Sequence, residues 1–309
     1  MSEYHRPIME REVVEGLSVK AGGVYFDGTA GGGGHSFAIL SSNPAATLIA
    51  TDKDGEAIQE AEGRLACFKG RYKLHHSDFK NFEAVLNEEG IAKIDGFLLD
   101  LGISSHQIDD EKRGFAYRLK NAPLDMRMDQ SRAFSAKEVV NTYSEEALKR
   151  ILKEYGEERF AGNIAKNLVK SRENRPIETC GELEEIIRVS IPAKFRSAAC
   201  ARQSFQAIRI EVNGELEGLQ ECVRGLVDAL KKGGRGCILT FHSLEDRIVK
   251  QTFKDLATGC TCPKEFPVCV CGRKAQIKLL GRYTASENEI KENSRSKSAK
   301  LRVIEKISE

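Results

Sequence analysis

The sequence predicts an α/β protein, a doubly wound sheet interrupted by an inserted helical domain. Three observations carry this reading. Short apolar runs alternate with helical patterns over the first hundred residues. The rhythm breaks over roughly Ile108 to Arg209, where helical spacing dominates. It then resumes to the end of the chain. Strands that alternate with helices imply right-handed βαβ units and a parallel sheet.

The elements follow in order. Val24-Tyr25-Phe26 reads as a strand ending in Asp27, and Gly28 to Gly34 is a glycine loop that opens a helix at His35. Thr47 to Thr51 is a second strand ending at Asp52, and Glu56 to Leu65 has helical spacing. Tyr72 to His75 is a third, followed by Asp78-Phe79 and a helix over Phe82 to Glu89. Ile94 to Leu99 is a fourth, ending at Asp100. Within the insertion, Ala147, Leu148, Ile151, Leu152 and Tyr155 share one helical face behind a Ser144 cap. Further helices are expected around Ile164 to Val169 and Leu183 to Ile187. Afterwards come a helix over Leu216 to Leu230, a strand over Arg235 to Phe241, a helix over Leu244 to Phe253 and a last strand over Lys300 to Lys306. The division expected is residues 1–107 with 210–309 as one discontinuous domain and 108–209 as the insertion.

Composition sets the limits. A chain of 309 residues suggests about two domains. Hydrophobic residues at 40% and charged residues at 30% describe an ordinary globular protein. No apolar run reaches the length of a membrane span, and the N-terminus lacks the basic and apolar segments of a secretion signal. A cytoplasmic location is expected. With 48 basic and 46 acidic residues, the net charge of +2 neither requires nor excludes a nucleic-acid partner. Of nine cysteines, five are scattered and read as reduced core thiols.

The glycine loop carries the first chemistry. Four consecutive glycines between a strand and a helix allow a tight turn and close approach to a ligand. A phosphate-cradling loop would need lysine where Gly34 stands, and a dinucleotide loop would need glycine where Ser36 stands. The acidic Asp27 would repel a pyrophosphate but suits a ligand bearing a cation. Asp52 can accept from both hydroxyls of a ribose. Asp78-Phe79 offers a polar group and an aromatic face to a purine, and Asp100 ends the fourth strand. Carboxylates at four strand ends mark the crevice at the switch point of such a sheet. An adenosine carrying a sulfonium and an amino acid, S-adenosyl-L-methionine, matches the set.

The chain resembles the small-subunit ribosomal RNA methyltransferase H family, also called MraW. The matching stretches include Asp27-Gly28-Thr29 with Gly33-Gly34-His35-Ser36, Leu98 to Ser105, Arg113-Gly114-Phe115 and Pro123-Leu124-Asp125-Met126-Arg127-Met128-Asp129. Tyr155 to Phe160, Phe205 to Ile210 with Val212-Asn213, and Phe241-His242-Ser243-Leu244-Glu245-Asp246-Arg247 complete the series. The resemblance implies a class I methyltransferase fold with an inserted helical domain that recognises substrate. It also implies methylation of the exocyclic N4 of a cytidine in the decoding region of 16S rRNA, with the rRNA presented in the small ribosomal subunit and no membrane partner. Donor-binding positions carried over from the family are Gly33, Gly34, His35, Asp52, Phe79, Asp100 and Gln107. A homodimer is compatible with this reading. Alternatives are a methyltransferase acting on another base or on protein, and a non-catalytic ribosome-assembly factor. Intact donor positions weigh against the latter, and Ser36 and Asp27 weigh against a nicotinamide-dependent oxidoreductase.

Cytosine N4 is a weak nucleophile, so its attack needs positioning and an acceptor for an N–H proton. Asp100-Leu101-Gly102-Ile103 lacks the proline pair and aromatic that follow the corresponding acid in many base amino-methyltransferases. Asp100 is the expected catalytic acceptor, with Asp125 and Asp129 as competitors. His242 reads as a structural histidine, and Ser243 as the cap of the following helix. Two basic stretches, Arg188 to Arg209 and Lys291 to Arg302, are candidate phosphate contacts. Cys260, Cys262, Cys269 and Cys271 could hold zinc, but C-x-C is tighter than the common C-x₂-C knuckle, and methyl transfer needs no metal. Loop thiols or a stress-formed disulfide stand beside zinc, which is not the favoured reading.

Overall fold

A computed structural model describes residues 7–260, 262 and 270–309. The chain forms two compact units, one of residues 1–102 with 217–309 and one of residues 103–216.

The first unit is built on a seven-stranded sheet. Its elements are α1 (Glu10–Leu17), β1 (Val24–Asp27), α2 (Gly34–Ser42), β2 (Thr47–Asp52), α3 (Gly55–Leu65), β3 (Tyr72–His76), α4 (Phe82–Glu88) and β4 (Ile94–Asp100). The second unit follows with α5 (Ser105–Asp109), α6 (Ala136–Thr142), α7 (Glu145–Glu154), α8 (Ala161–Arg172), α9 (Cys180–Ser190) and α10 (Arg202–Asn213). The sheet unit resumes with α11 (Leu219–Ala229), β5 (Leu230–Thr240), α12 (Ser243–Ala257), β6 (Ile277–Thr284), α13 (Glu287–Glu292) and β7 (Lys300–Lys306). Strand order is β3-β2-β1-β4-β5-β7-β6. The α/β class and the doubly wound sheet that the sequence predicts are therefore present.

The parallel pairing expected from the first hundred residues is present, and the last two strands depart from it. Strands β3, β2, β1, β4 and β5 are parallel, but β7 pairs antiparallel with both β5 and β6. Strand β6 was not foreseen. It lies at the edge, most of its residues are at least partly exposed, and Lys278, Gly281 and Arg282 interrupt its apolar pattern. Such residues are typical of an edge that must not pair with another chain.

Alternation along the strands divides the core in two. Phe26, Ile49, Phe97, Leu99, Ile238 and Ile304 pack with Phe82, Leu226 and Phe253 from α4, α11 and α12. The intervening residues Tyr25, Leu48, Leu98, Leu239 and Val303 pack with Val13, Leu17, Ile39 and Leu40 from α1 and α2. A sheet buried on both faces leaves its strand ends as the place where polar groups can converge.

The second unit has its own core, formed by Leu148, Ile151, Ile164, Leu168, Leu183, Ile187, Phe205 and Ile208 with neighbours. Helices α5, α6, α7 and α9 start where side chains satisfy the free backbone N–H groups. Ser135 with Glu138 and Thr179 with Glu182 form capping boxes, and Ser144 accepts from Ala147 N as expected. In the sheet unit the cap of α12 is His242, not Ser243, and Glu245 completes its box. Among the described residues, no helix is long and apolar enough to cross a membrane.

Asn213 braces the irregular Pro123-to-Asp129 segment. Its Oδ1 accepts from Met128 N at 2.8 Å, and its Nδ2 donates to Met126 O at 2.7 Å and Arg209 O at 2.8 Å. Truncating this buried amide leaves backbone groups without partners. Asn213→Ala should lower unfolding stability by about 2–4 kcal/mol in urea titrations, from two unmet groups. Lys153→Ala, on an exposed face of α7, should stay within about 0.5 kcal/mol.

Candidate functional site

The glycine loop is tied to the strand ends by bonds from its own backbone and side chains. Gly28 N donates to Leu98 O at 2.9 Å, and Ala30 N to Thr51 O at 2.9 Å. Gly31 N donates to Asp52 Oδ2 at 2.8 Å. Thr29 Oγ1 accepts from Asp100 N at 2.6 Å. The loop thus reaches β2 and β4 as well as β1. A side chain at Gly28 would bring Cβ within 2.4 Å of Leu99 Cδ2 and 2.8 Å of Phe79 Cβ. At Gly33 the backbone has φ +76°, and a Cβ would sit 3.1 Å from Ala61 Cα. Gly34 then begins α2.

Asp27 is fully buried. Its Oδ2 accepts from Ser36 Oγ at 2.7 Å and its Oδ1 from Thr29 N at 3.1 Å. Both oxygens are thus spent on the loop, so its negative charge acts on the site without a free oxygen to offer. Ser36, the residue that breaks the dinucleotide pattern, is the one that holds this carboxylate. Desolvation raises the Asp27 pKa against the opposing hydrogen bond from Ser36.

His35 is buried beside it, with Nε2 3.5 Å from Asp100 Oδ2. Burial pulls its pKa down, but the close approach and negative charge of Asp100, with the charge of Asp27, more than offset that, and the net shift is upward. Among the described residues, neither ring nitrogen of His35 has a hydrogen-bond partner, and Asp100 Oδ1 has none either. Buried polar atoms without partners are costly in a folded chain. Here they lie together at the end of β4 and the start of α2.

Asp52 ends β2. Besides Gly31 N, it accepts from Asp54 N at 2.9 Å through Oδ1. Desolvation raises its pKa from the ordinary 3.8 to about 6, against those two hydrogen bonds. Phe79 is buried after β3, with Lys80 Nζ 5.9 Å from its ring centroid. Asp78 caps this turn by accepting from Lys80 N at 3.0 Å and pairs with Lys53 Nζ at 3.4 Å.

The sheet unit therefore brings Gly33, Gly34, His35, Asp52, Phe79 and Asp100 to the carboxyl ends of β1, β2, β3 and β4. Gln107 belongs to the second unit. It lies on α5, where its Oε1 accepts from Ser104 N at 3.0 Å and its N donates to Ser104 Oγ at 3.1 Å. Thr29 and Ser36 were overlooked as organisers, although both stand inside the motif that singled out the loop.

The competing aspartates are engaged elsewhere in the second unit. Asp125 binds Arg127 through both oxygens, at 2.9 Å to Nε and 2.6 Å to Nη2. Asp129 accepts from Ser131 N at 2.9 Å and Oγ at 2.6 Å. His242 Nε2 is 3.0 Å from Glu245 Oε1, in keeping with a structural role.

Several basic residues expected to meet phosphate are internal braces. Arg209 pairs with Glu215 through two 2.8 Å bonds in a mostly buried position. Lys300 and Arg302 both pair with Asp246, at 3.0 Å and 2.8 Å. Lys194, from the basic stretch Arg188 to Arg209, instead stands in an exposed cluster with Phe195 and Arg159, which the sequence did not single out. Phe195 is 42% exposed, with Arg159 4.6 Å and Lys194 5.0 Å from its ring centroid. Of the cysteine cluster, Cys260, Cys262 and Cys271 are described, and Cys269 lies outside the described residues.

The raised Asp52 value has a consequence for stability. A folded-state pKa above the ordinary one means that the folded chain holds the proton more tightly. The stabilisation from that proton is complete below about pH 4 and is lost as pH rises through about 6. The stability of the wild type relative to Asp52→Asn should therefore fall across this interval in denaturant titrations and level off above it. A difference that does not change with pH would contradict the assignment.

Comparison with known proteins shows the family of the chain. Residues 2–307 match the MraW methylase family. A ribosomal RNA small subunit methyltransferase H from Geobacter sp. strain M21 is 52% identical, covering 98% of this chain and 99% of its own. The protein of the same name from Clostridioides difficile strain 630 is 47% identical, covering 99% of this chain and 100% of its own. A solved rRNA methylase from Streptococcus thermophilus aligns with 97% of this chain and 94% of its own at 10% identity and a TM-score of 0.40. Matched over nearly its whole length by the family and by relatives of about half identity, the chain belongs to the MraW methylase family.

Proposed function

We propose that the chain methylates the exocyclic N4 of a cytidine in the decoding region of 16S rRNA, using S-adenosyl-L-methionine. The observation that carries the donor assignment is the grouping of Asp27, Asp52 and Asp100 around a glycine loop, with Asp100 Oδ1 and the His35 ring buried without partners. A pyrophosphate is repelled by that charge. A ligand with one sulfonium, one ammonium and two ribose hydroxyls matches it. The donor supplies an electrophilic methyl group on a positively charged sulfur.

In this reading Asp52 accepts from the ribose hydroxyls and Phe79 flanks the base. Gly33, Gly34 and His35 allow the amino-acid end to approach the start of α2, and Gln107 is a further donor-binding position. Asp100 is the catalytic residue: its Oδ1 accepts the N–H proton as the new C–N bond forms. Asp125 and Asp129 are less suited because Arg127 and Ser131 already occupy their oxygens. The inserted unit recognises substrate. Phe195 offers a face on which an unpaired base can stack, and Arg159 and Lys194 provide positive charge beside it. The family and the names of its relatives support an rRNA of the small subunit as substrate, and the cytidine N4 is what the resemblance to that family implies.

The test is nucleoside mass spectrometry after incubation with S-adenosyl-L-methionine and 30S subunits from cells lacking the enzyme. N4-methylcytidine should appear. Asp100→Asn should lower kcat by 10²-fold or more, the scale of a lost general base. Phe195→Ala should mainly raise KM for the RNA. Full turnover by Asp100→Asn with normal donor binding would remove Asp100 from the chemistry, and a different methylated product would overturn the reading.

A further inference from the structure

We propose that Cys260, Cys262 and Cys271 form a zinc site outside the donor crevice. The sequence objection was that a C-x-C pair is too tight for a common knuckle. Folding answers it by bringing a third sulfur to the pair from eleven residues downstream. The three sulfurs lie within 4.8 Å of one another, and Cys271 Sγ is 3.7 Å from Cys260 Sγ. At a Zn–S length of about 2.3 Å, two sulfurs of a tetrahedral site stand about 3.8 Å apart. The observed spacing is therefore that of an edge of a zinc tetrahedron.

The surroundings fit thiolate ligands. Cys262 N approaches Cys260 Sγ at 3.4 Å, and Val270 N approaches Cys262 Sγ at 3.4 Å. N–H groups aimed at sulfur lower its charge density and orient it, as outer partners of metal-bound thiolates do. Three soft ligands at this spacing select zinc over hard cations such as magnesium or calcium.

The site would stabilise an excursion between α12 and β6. The base of that excursion is already closed, since Gln276 N donates to Leu256 O at 2.9 Å and Arg273 pairs with Asp255. The zinc would add a second crosslink, joining Cys260 and Cys262 after α12 to Cys271 before β6. Its role is structural, and the methyl transfer does not pass through it.

The test uses the full-length protein, purified with reductant and without chelator. Elemental analysis should find one zinc per chain in the wild type and in Cys67→Ser, an exposed cysteine outside the cluster. Cys260→Ser and Cys271→Ser should lose it, with circular dichroism to show that each variant is folded. Apoprotein given Co²⁺ should develop thiolate-to-metal charge-transfer absorption and the visible bands of a tetrahedral site. Reduced, folded wild type that takes up neither Zn²⁺ nor Co²⁺ would overturn the proposal. So would iron with inorganic sulfide, or a Cys260–Cys271 disulfide in freshly isolated protein.

Discussion

The carboxylates at the ends of β1, β2 and β4 are the constraint on which the site depends. Asp27, Asp52 and Asp100 are each tied to the loop that crosses above them: Asp27 to Thr29 and Ser36, Asp52 to Gly31, and Asp100 to Thr29 through its backbone N–H. These bonds shape a glycine-rich turn that has few side chains of its own to hold it. The same burial raises the pKa values of Asp27 and Asp52, because a carboxylate removed from water loses hydration. The loop is thus held by groups that are electrostatically unfavourable until a complementary cation arrives. Ligand selection and loop geometry have one physical origin.

The second unit solves a different problem. Its long connection from Asp110 to Ser135 has little regular structure, so its backbone groups need partners from elsewhere. Fully buried Arg113 donates to Arg127 O at 3.1 Å and Met128 O at 2.9 Å, and Asn213 completes the bracing. Arg127 in turn locks Asp125. Arg209, Lys300 and Arg302, which lie in stretches that read as nucleic-acid contacts, are likewise internal supports. An exposed aromatic with flanking cations is found at Phe195, Arg159 and Lys194.

Legibility follows the same division. Strands β1, β2 and β4 were readable because each is an apolar run ending in aspartate, and the loop because four glycines follow one of them. Strand β6 was not, since an exposed edge carries charged residues, and α1 lacks a cap bond that would announce its start. The start of α12 was misplaced by one residue because histidine is an uncommon cap beside an adjacent serine. At the site, residue types pointed to Asp52, His35 and Asp100, but only the fold shows that Asp27 spends its oxygens on Ser36 and Thr29. Pairing across distance, as in Arg209 with Glu215 or Arg302 with Asp246, leaves no mark in local spacing. Spacing disclosed the cysteine pairs, but the approach of Cys271 to Cys260 shows only in the fold.

The account stands or falls on whether the donor meets an ionised carboxylate. Calorimetric titration of the protein with S-adenosyl-L-methionine, in buffers of different ionisation enthalpy, reads the protons exchanged on binding. Near pH 6, where Asp52 is half protonated, binding should release a fraction of a proton, because hydroxyl donors and a nearby sulfonium favour the carboxylate. The release should vanish at about pH 8, where the carboxylate is already ionised, and should be absent in Asp52→Asn. Binding without proton release near pH 6, or with proton uptake, would contradict the claim that these carboxylates select the donor by its charge.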